Sequence, residues 1–145
     1  KEGADTKMKI MAYSPRDENA VIELWQRCNL IRSQNNPKLD IERKLKVNPE
    51  LFLVGLMDGK IVATVIGGYE GHRGWINYLG VDPDYQKAGL GRQIMEAVEE
   101  MITVLGCPKI NLQIRGDNKV VVGFYESIGY TTEDRVNMGR RLIPD

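Results

Sequence analysis

Residues 79 to 91 read Leu79-Gly80-Val81-Asp82-Pro83-Asp84-Tyr85-Gln86-Lys87-Ala88-Gly89-Leu90-Gly91, and their reading decides the fold. They close a β-branched and aromatic run over residues 75–81, break it at Asp82-Pro83-Asp84, and lead into a helical pattern over residues 89–105. The first amides of a helix have no partner inside it and carry about half a positive charge between them. Gly89 and Gly91 remove side chains where a ligand would have to approach the backbone closely. Strand, loop and helix start in this order make a pyrophosphate site, although glycines here could also do no more than shape a tight helix start. Two familiar phosphate sites fail. A dinucleotide fingerprint needs a third small residue where this chain has Ile94, and a P-loop needs Gly-Lys-Ser/Thr where Gly91 is followed by Arg92-Gln93.

Upstream, the apolar runs 51–57 and 61–69 flank Asp58-Gly59, the strongest short-range hairpin signal. Glu70-Gly71-His72-Arg73-Gly74 is a second turn, so three antiparallel strands follow one another. Before them come a short strand over 9–13 and a helix over 17–28, started by Ser14-Pro15, with Val21, Leu24, Trp25 and Cys28 at helical spacing. A loop over 32–38 precedes a second helix over 39–47. Downstream of the central loop, Leu90, Ile94, Val98, Ile102 and Leu105 stripe the long helix, which Gly106 and Pro108 stop. Ile110, Leu112 and Ile114 alternate as a strand. A helix opened by Asp117-Asn118 carries Val121, Phe124, Tyr125 and Ile128, Gly129-Tyr130 ends it, and a last strand or strand pair is expected through 136–143. The order is β-α-α-β-β-β-α-β-α-β, an α/β (α+β) chain expected to form one domain over residues 8–145. The polar start, residues 1–7, is set aside as frayed or cloning-derived.

Composition narrows the function. The 20 basic and 20 acidic residues of the 145 cancel, leaving no electrostatic case for nucleic acid or an anionic membrane as the main partner. The two cysteines, Cys28 and Cys107, are too few for a disulfide framework and match no zinc spacing, as expected of buried thiols in a reducing cytoplasm. No apolar run reaches membrane-spanning length, and no signal peptide is visible.

Gln86-Lys87-Ala88-Gly89-Leu90-Gly91 resembles Gln/Arg-x-x-Gly-x-Gly/Ala, the acetyl-CoA-binding motif of the GNAT superfamily of N-acetyltransferases. Asn118, Val121, Phe124-Tyr125 and Gly129-Tyr130 are similar to that family's Asn-x-x-Ala-x-x-Phe-Tyr-x-x-x-Gly-Phe segment, and the element order is the family's from Met8 onward. Details resemble bacterial members of the YpeA type. The resemblance implies a central mixed, mostly antiparallel sheet, flanked by helices, in which two parallel strands splay apart. Pantetheine would pair with backbone at Leu79, Gly80 and Val81. The pyrophosphate would rest on amides of Lys87, Ala88, Gly89, Leu90, Gly91 and Arg92, with Gln86 opening the motif and no metal required. An amide near Leu79–Val81 would polarise the acetyl carbonyl. Asn118 would contact the cofactor, cap its helix, or both, and Tyr125 would protonate the departing thiolate. Spacing agrees, because Asn118 and Tyr125 are seven apart and share a helix face.

The implied reaction is direct acetyl transfer from acetyl-CoA to a primary amine of a small molecule or peptide. The base stays open between Glu70, His72 and a water held by Asn77, Asn111 or Gln113, because the strand 75–81 has no acid. A lysine-type amine is free base roughly once in two thousand at pH 7 and an α-amine about one time in seven, so a site lacking a strong base leans toward less basic amines or small metabolites. The link between the last strands is short, so the acceptor side is expected open, closed by loop 32–38 or by a second subunit in a homodimer. The rival reading is a catalytically inactive acyl-CoA-binding module.

Overall fold

The structure, a computed structural model, describes residues 7–86 and 88–145; residues 1–6 and Lys87, both considered above, lie outside the described residues. The chain divides into two compact units, one through Asn111 and one over Leu112–Asp145.

In the first unit, β1 (Lys9–Ala12), β2 (Phe52–Met57), β3 (Lys60–Tyr69) and β4 (Gly74–Val81) pair antiparallel in sequence order. The β2–β3 hairpin turns on Asp58-Gly59, both at positive φ as a type I′ turn demands, with Met57 opposite Lys60. Beyond β4 lies β5 (Ile110–Leu112). The amide of Gly74, at the start of β4, donates to Lys109, just before β5, so these two strands begin level and run parallel.

Both faces of the sheet are covered, which is why β2 and β3 read as near-continuous apolar runs rather than as alternation. On one face, α1 (Glu18–Arg27) and α2 (Pro37–Lys44) close a cluster of Tyr13, Val21, Trp25, Ile41, Phe52, Val54 and Ile66. On the other lies α3 (Leu90–Val104), whose buried stripe is Leu90, Ile94, Met95, Val98 and Ile102. Gly67 lets that helix come close: a Cβ there would stand 2.6 Å from Val98 Cγ2. Burying each large side chain of these two clusters stabilises the fold by about 1.5–3 kcal/mol.

Element boundaries moved where caps were misread. Helix α2 begins at Pro37, not at residue 39, because the Asn36 side chain accepts from the Leu39 amide and caps it. Helix α3 and its expected stripe stand almost as read.

In the second unit, α4 (Lys119–Ser127) is capped by Asn118, whose side chain accepts from the Val121 amide. The expected strand or strand pair through 136–143 does not form: residues 131–145 hold no strand among the described residues. Val136, Met138, Leu142 and Ile143 are exposed, so their alternation has no apolar face to cover. The segment's contacts include Gln113 Nε2 donating to Asn137, 24 positions away, and the local Arg141–Asp145 pair. No helix among the described residues is long and apolar enough to cross a membrane.

Candidate active site

The register of β3 against β4 slips at one point. Thr64 faces Gly80 and Ile66 faces Asn77, so two residues, Tyr78 and Leu79, stand opposite Val65. This is a β-bulge, and Tyr78 takes up the extra length with φ of 53°, the left-handed region that a tyrosine seldom enters. Such a residue costs about 1–3 kcal/mol and persists only when its neighbours hold it there. They do. The Trp25 ring stacks on the Tyr78 ring with centroids 3.9 Å apart, Trp25 Nε1 donates to Thr64 Oγ1 at 3.0 Å, and Thr64 Oγ1 donates to the Tyr78 carbonyl at 3.1 Å. The Tyr78 hydroxyl donates to Asp40 on α2. Burial comes first, and the Asp40 carboxylate second, in pushing that phenol above the ordinary tyrosine range.

Past the bulge, the Asp82 amide donates to Val62 of β3. By the two-residue alternation of a strand, Gly80 also points at β3, and the amides of Leu79 and Val81 point away across the opposite edge. Three residues of β5, counted from the Gly74–Lys109 bond, reach only about as far as Asn77, so this edge continues past the end of its neighbour. The Val81 carbonyl is engaged by Gln86 Nε2 at 2.7 Å and by Cys28 Sγ at 3.3 Å. Gln86, expected to open the cofactor motif, therefore ties the loop back to β4.

The loop itself is fixed by Asp82. Its side chain is 1% exposed, accepts from Arg27 at 2.7 Å, lies 3.6 Å from Lys60 Nζ, and accepts from the Asp84 amide at 2.9 Å. Asp82→Ala is expected to cost about 2 kcal/mol, below the full cost of an orphaned buried charge because Arg27 keeps Asp84 and water; urea denaturation would measure it. After the loop, Gly89 sits at φ +78° as the N-cap of α3, with no capping side chain and no acidic residue in the first turn. An ordinary helix would place Ser, Asp or Glu there. A helix start kept clear of anions, approached through a glycine, fits a pyrophosphate; of the motif's residues, Ala88, Gly89, Leu90, Gly91 and Arg92 are described.

Beside the bulge the first unit has an open cleft of about 550 Å³. Tyr78, Asn77, Asp40 and Asn35 bring polar groups to it, and Leu30 and Ile66 line it with apolar surface. Asp40 and Tyr78 were not among the expected site residues. Nothing local in the sequence marks the bulge that turns Tyr78 toward helix α2.

Two expected bases are placed elsewhere. Glu70 and His72 are exposed in the turn before β4, whose first residue, Gly74, itself lies about 13 Å in strand rise from Tyr78. The Glu70 carboxylate accepts from the amides of His72 and Arg73, which hold its pKa below the usual carboxylate range. It closes the turn. Glu70→Gln is expected to leave acetyl transfer within about twofold, against the hundredfold or more that loss of a general base would bring, as steady-state kinetics would show. Neither thiol is poised as a nucleophile: Cys28 is pushed up by burial, and Cys107 Sγ donates to the Lys109 carbonyl.

In the second unit, Tyr125 is 7% exposed and packed edge-on against Phe124 and Tyr130. Burial raises its pKa, so the phenol holds its proton well beyond neutral pH. Asn118 lies two turns away on the same helix and serves as its cap.

Known proteins share this layout. An acetyltransferase of Pectobacterium atrosepticum is 47% identical over 95% of this chain and 98% of its own length. A Yersinia pestis protein named as an uncharacterized N-acetyltransferase is 46% identical over the same shares. Among solved structures, Ard1 from Thermoplasma volcanium superposes with a TM-score of 0.78 at 24% identity, covering 86% of this chain and 82% of its own. The aminoglycoside N-acetyltransferase AAC(6')-Iy in complex with CoA gives 0.76 at 17%, covering 98% of each. Residues 18–130, from the start of α1 to the end of the Tyr125 segment, match the acetyltransferase (GNAT) family. With a mixed sheet bulged on β4 and a glycine-led helix after it, this chain belongs to the GNAT acetyltransferase family and is an acyltransferase.

Proposed function

We propose that residues 8–145 act as one cytoplasmic N-acetyltransferase domain that moves acetyl directly from acetyl-CoA to a primary amine of a small molecule or peptide. One observation carries the reading: the bulge at Tyr78 turns the amides of Leu79 and Val81 outward immediately before a helix start stripped of caps and acids. Bound acetyl-CoA would supply the thioester, whose carbonyl carbon forms a bond to the amine nitrogen while its bond to sulfur breaks. The helix start at Gly89, Leu90, Gly91 and Arg92 holds the diphosphate through amides and dipole. The outward backbone at Leu79 and Val81 aligns the pantetheine arm, and an amide of this stretch donates to the acetyl oxygen as negative charge builds there. Asp40, the carboxylate of the cleft, takes the amine's proton, directly or through water. Tyr125 gives its proton to the departing sulfur, a role supported by a phenol that burial keeps protonated. The two free thiols agree with a reducing compartment. The test is thiol release from acetyl-CoA across amino acids, polyamines, aminoglycosides and peptides, with mass detection of the acetylated product. Release with no acceptor-dependent product would overturn the reading.

A further inference from the structure

The cleft beside the bulge holds a charge that its own walls do not answer. Lys44, on α2, is half-buried, and its ammonium donates to the Gly67 carbonyl. Among the described residues no carboxylate forms an ion pair with it. Burial pulls its pKa down, and only the field of Glu50 opposes that shift. This is the mark of a cation whose water has been removed without an anion put in its place. Arg43 adds a second cation, with side chain 46% exposed and 3.9 Å from Asp40. Asp40 is the lone carboxylate among the cleft residues. Arg43 and Lys44 stand at i+3 and i+4 from Asp40 on one helix, each within roughly 5–6 Å of it.

The cleft therefore presents one negative group beside two positive ones. A polycation such as a polyamine or an aminoglycoside would meet Asp40 favourably and the other two unfavourably. A peptide amino terminus would offer an ammonium to Asp40 but leave Lys44 unanswered. An ammonium and a carboxylate borne on one carbon satisfy all three, at a separation that one helical turn can span.

We infer that this cleft selects acceptors of the α-amino acid class, Asp40 with the Tyr78 hydroxyl meeting the amine and Lys44 with Arg43 meeting the carboxylate. The assignment rests on the acetyltransferase reading above, and it names the acceptor of that same site.

The test compares free amino acids (lysine, phenylalanine and methionine) with their carboxamides and their decarboxylated amines. Thiol release from acetyl-CoA is one readout. Tryptophan fluorescence titration without acetyl-CoA is the other, since Trp25 stacks on Tyr78. The carboxamides carry the less basic amine, so a preference for the free acid could not come from a larger free-base fraction. At least one free acid is expected to exceed its carboxamide and its decarboxylated amine by about tenfold in kcat/KM and in binding, the worth of a charge-assisted contact. Lys44→Met should abolish most of that gap. Arg43→Gln, at an exposed site where folding is not at stake, should narrow it in the same direction. Equal use of free acids and carboxamides, preference for decarboxylated amines, or a gap unmoved by both variants would overturn the assignment and leave the acetyltransferase reading standing. If no amine releases thiol and acetyl-CoA does not bind, that reading falls, while the fluorescence titration still decides what the cleft prefers.

Discussion

Tyr125→Phe is expected to lower kcat for acetyl transfer by about a hundredfold or more, with acetyl-CoA affinity changed less than about threefold. The substitution removes one oxygen and keeps the ring, so the edge-on packing against Phe124 and Tyr130 survives and α4 should not be disturbed. What is lost is a proton donor for a thiolate leaving group. Burial sets the phenol's pKa above the ordinary tyrosine value near 10, so the neutral, donating form persists through and beyond neutral pH. The sign follows. Ionisation of Tyr125 would remove the acid only on the alkaline side, above the range where free tyrosine titrates, and any activity limb between pH 6 and 9 must come from the amine or its base. Steady-state kinetics with a separate binding titration of acetyl-CoA decides the matter. A variant that keeps wild-type kcat would show that the sulfur leaves without help from this hydroxyl. A variant that loses cofactor affinity and turnover in parallel would make Tyr125 a packing residue.

Much of the fold around this site is legible in the sequence, and the reason is local. Asp58-Gly59 fixes a hairpin by φ requirements alone, and Gly89 announces a helix start by the same means. The α3 stripe reports a buried face through its period. What stayed hidden depends on partners distant in sequence. Nothing around Tyr78 signals a bulge, since an inserted residue is visible only against β3, where Val65 faces two residues instead of one. Asp40 reads as one charge among several on a polar helix until the Tyr78 hydroxyl reaches it. Asp82 looks like an exposed turn residue beside proline, yet it is buried against Arg27, 55 positions earlier. The terminal strand fails for the opposite reason. Its alternation is real, but alternation predicts a strand only where a partner and an apolar face exist to receive it.

Gly89→Val is expected to weaken CoA binding about a hundredfold while the chain stays folded. Two costs combine. At φ +78° a β-branched residue is strained whatever the space around it, and holding it there costs about 1–3 kcal/mol. Relieving the strain means rotating this peptide, which turns the first amides of α3 away from the point where a diphosphate would sit. Each charge-assisted amide contact forfeited is worth about 1.5–3 kcal/mol, and about 2.7 kcal/mol in total corresponds to a hundredfold in affinity. The fold itself should tolerate the change, because a Cβ at Gly89 meets nothing within 4 Å and the residue is exposed. That separates this glycine from Gly67, where a Cβ would strike Val98 and a substitution would act on packing instead. Gly89→Ala serves as the graded control, with the same positive φ but less crowding, and should fall between wild type and valine. Titration of CoA, with hydrogen exchange of the segment from Gly89 to Arg92 followed on binding, reads both effects. Unchanged affinity in the valine variant would mean that the diphosphate does not rest on this helix start. Lost affinity together with an unfolding free energy lowered by several kcal/mol would mean that the glycine serves the fold rather than the ligand.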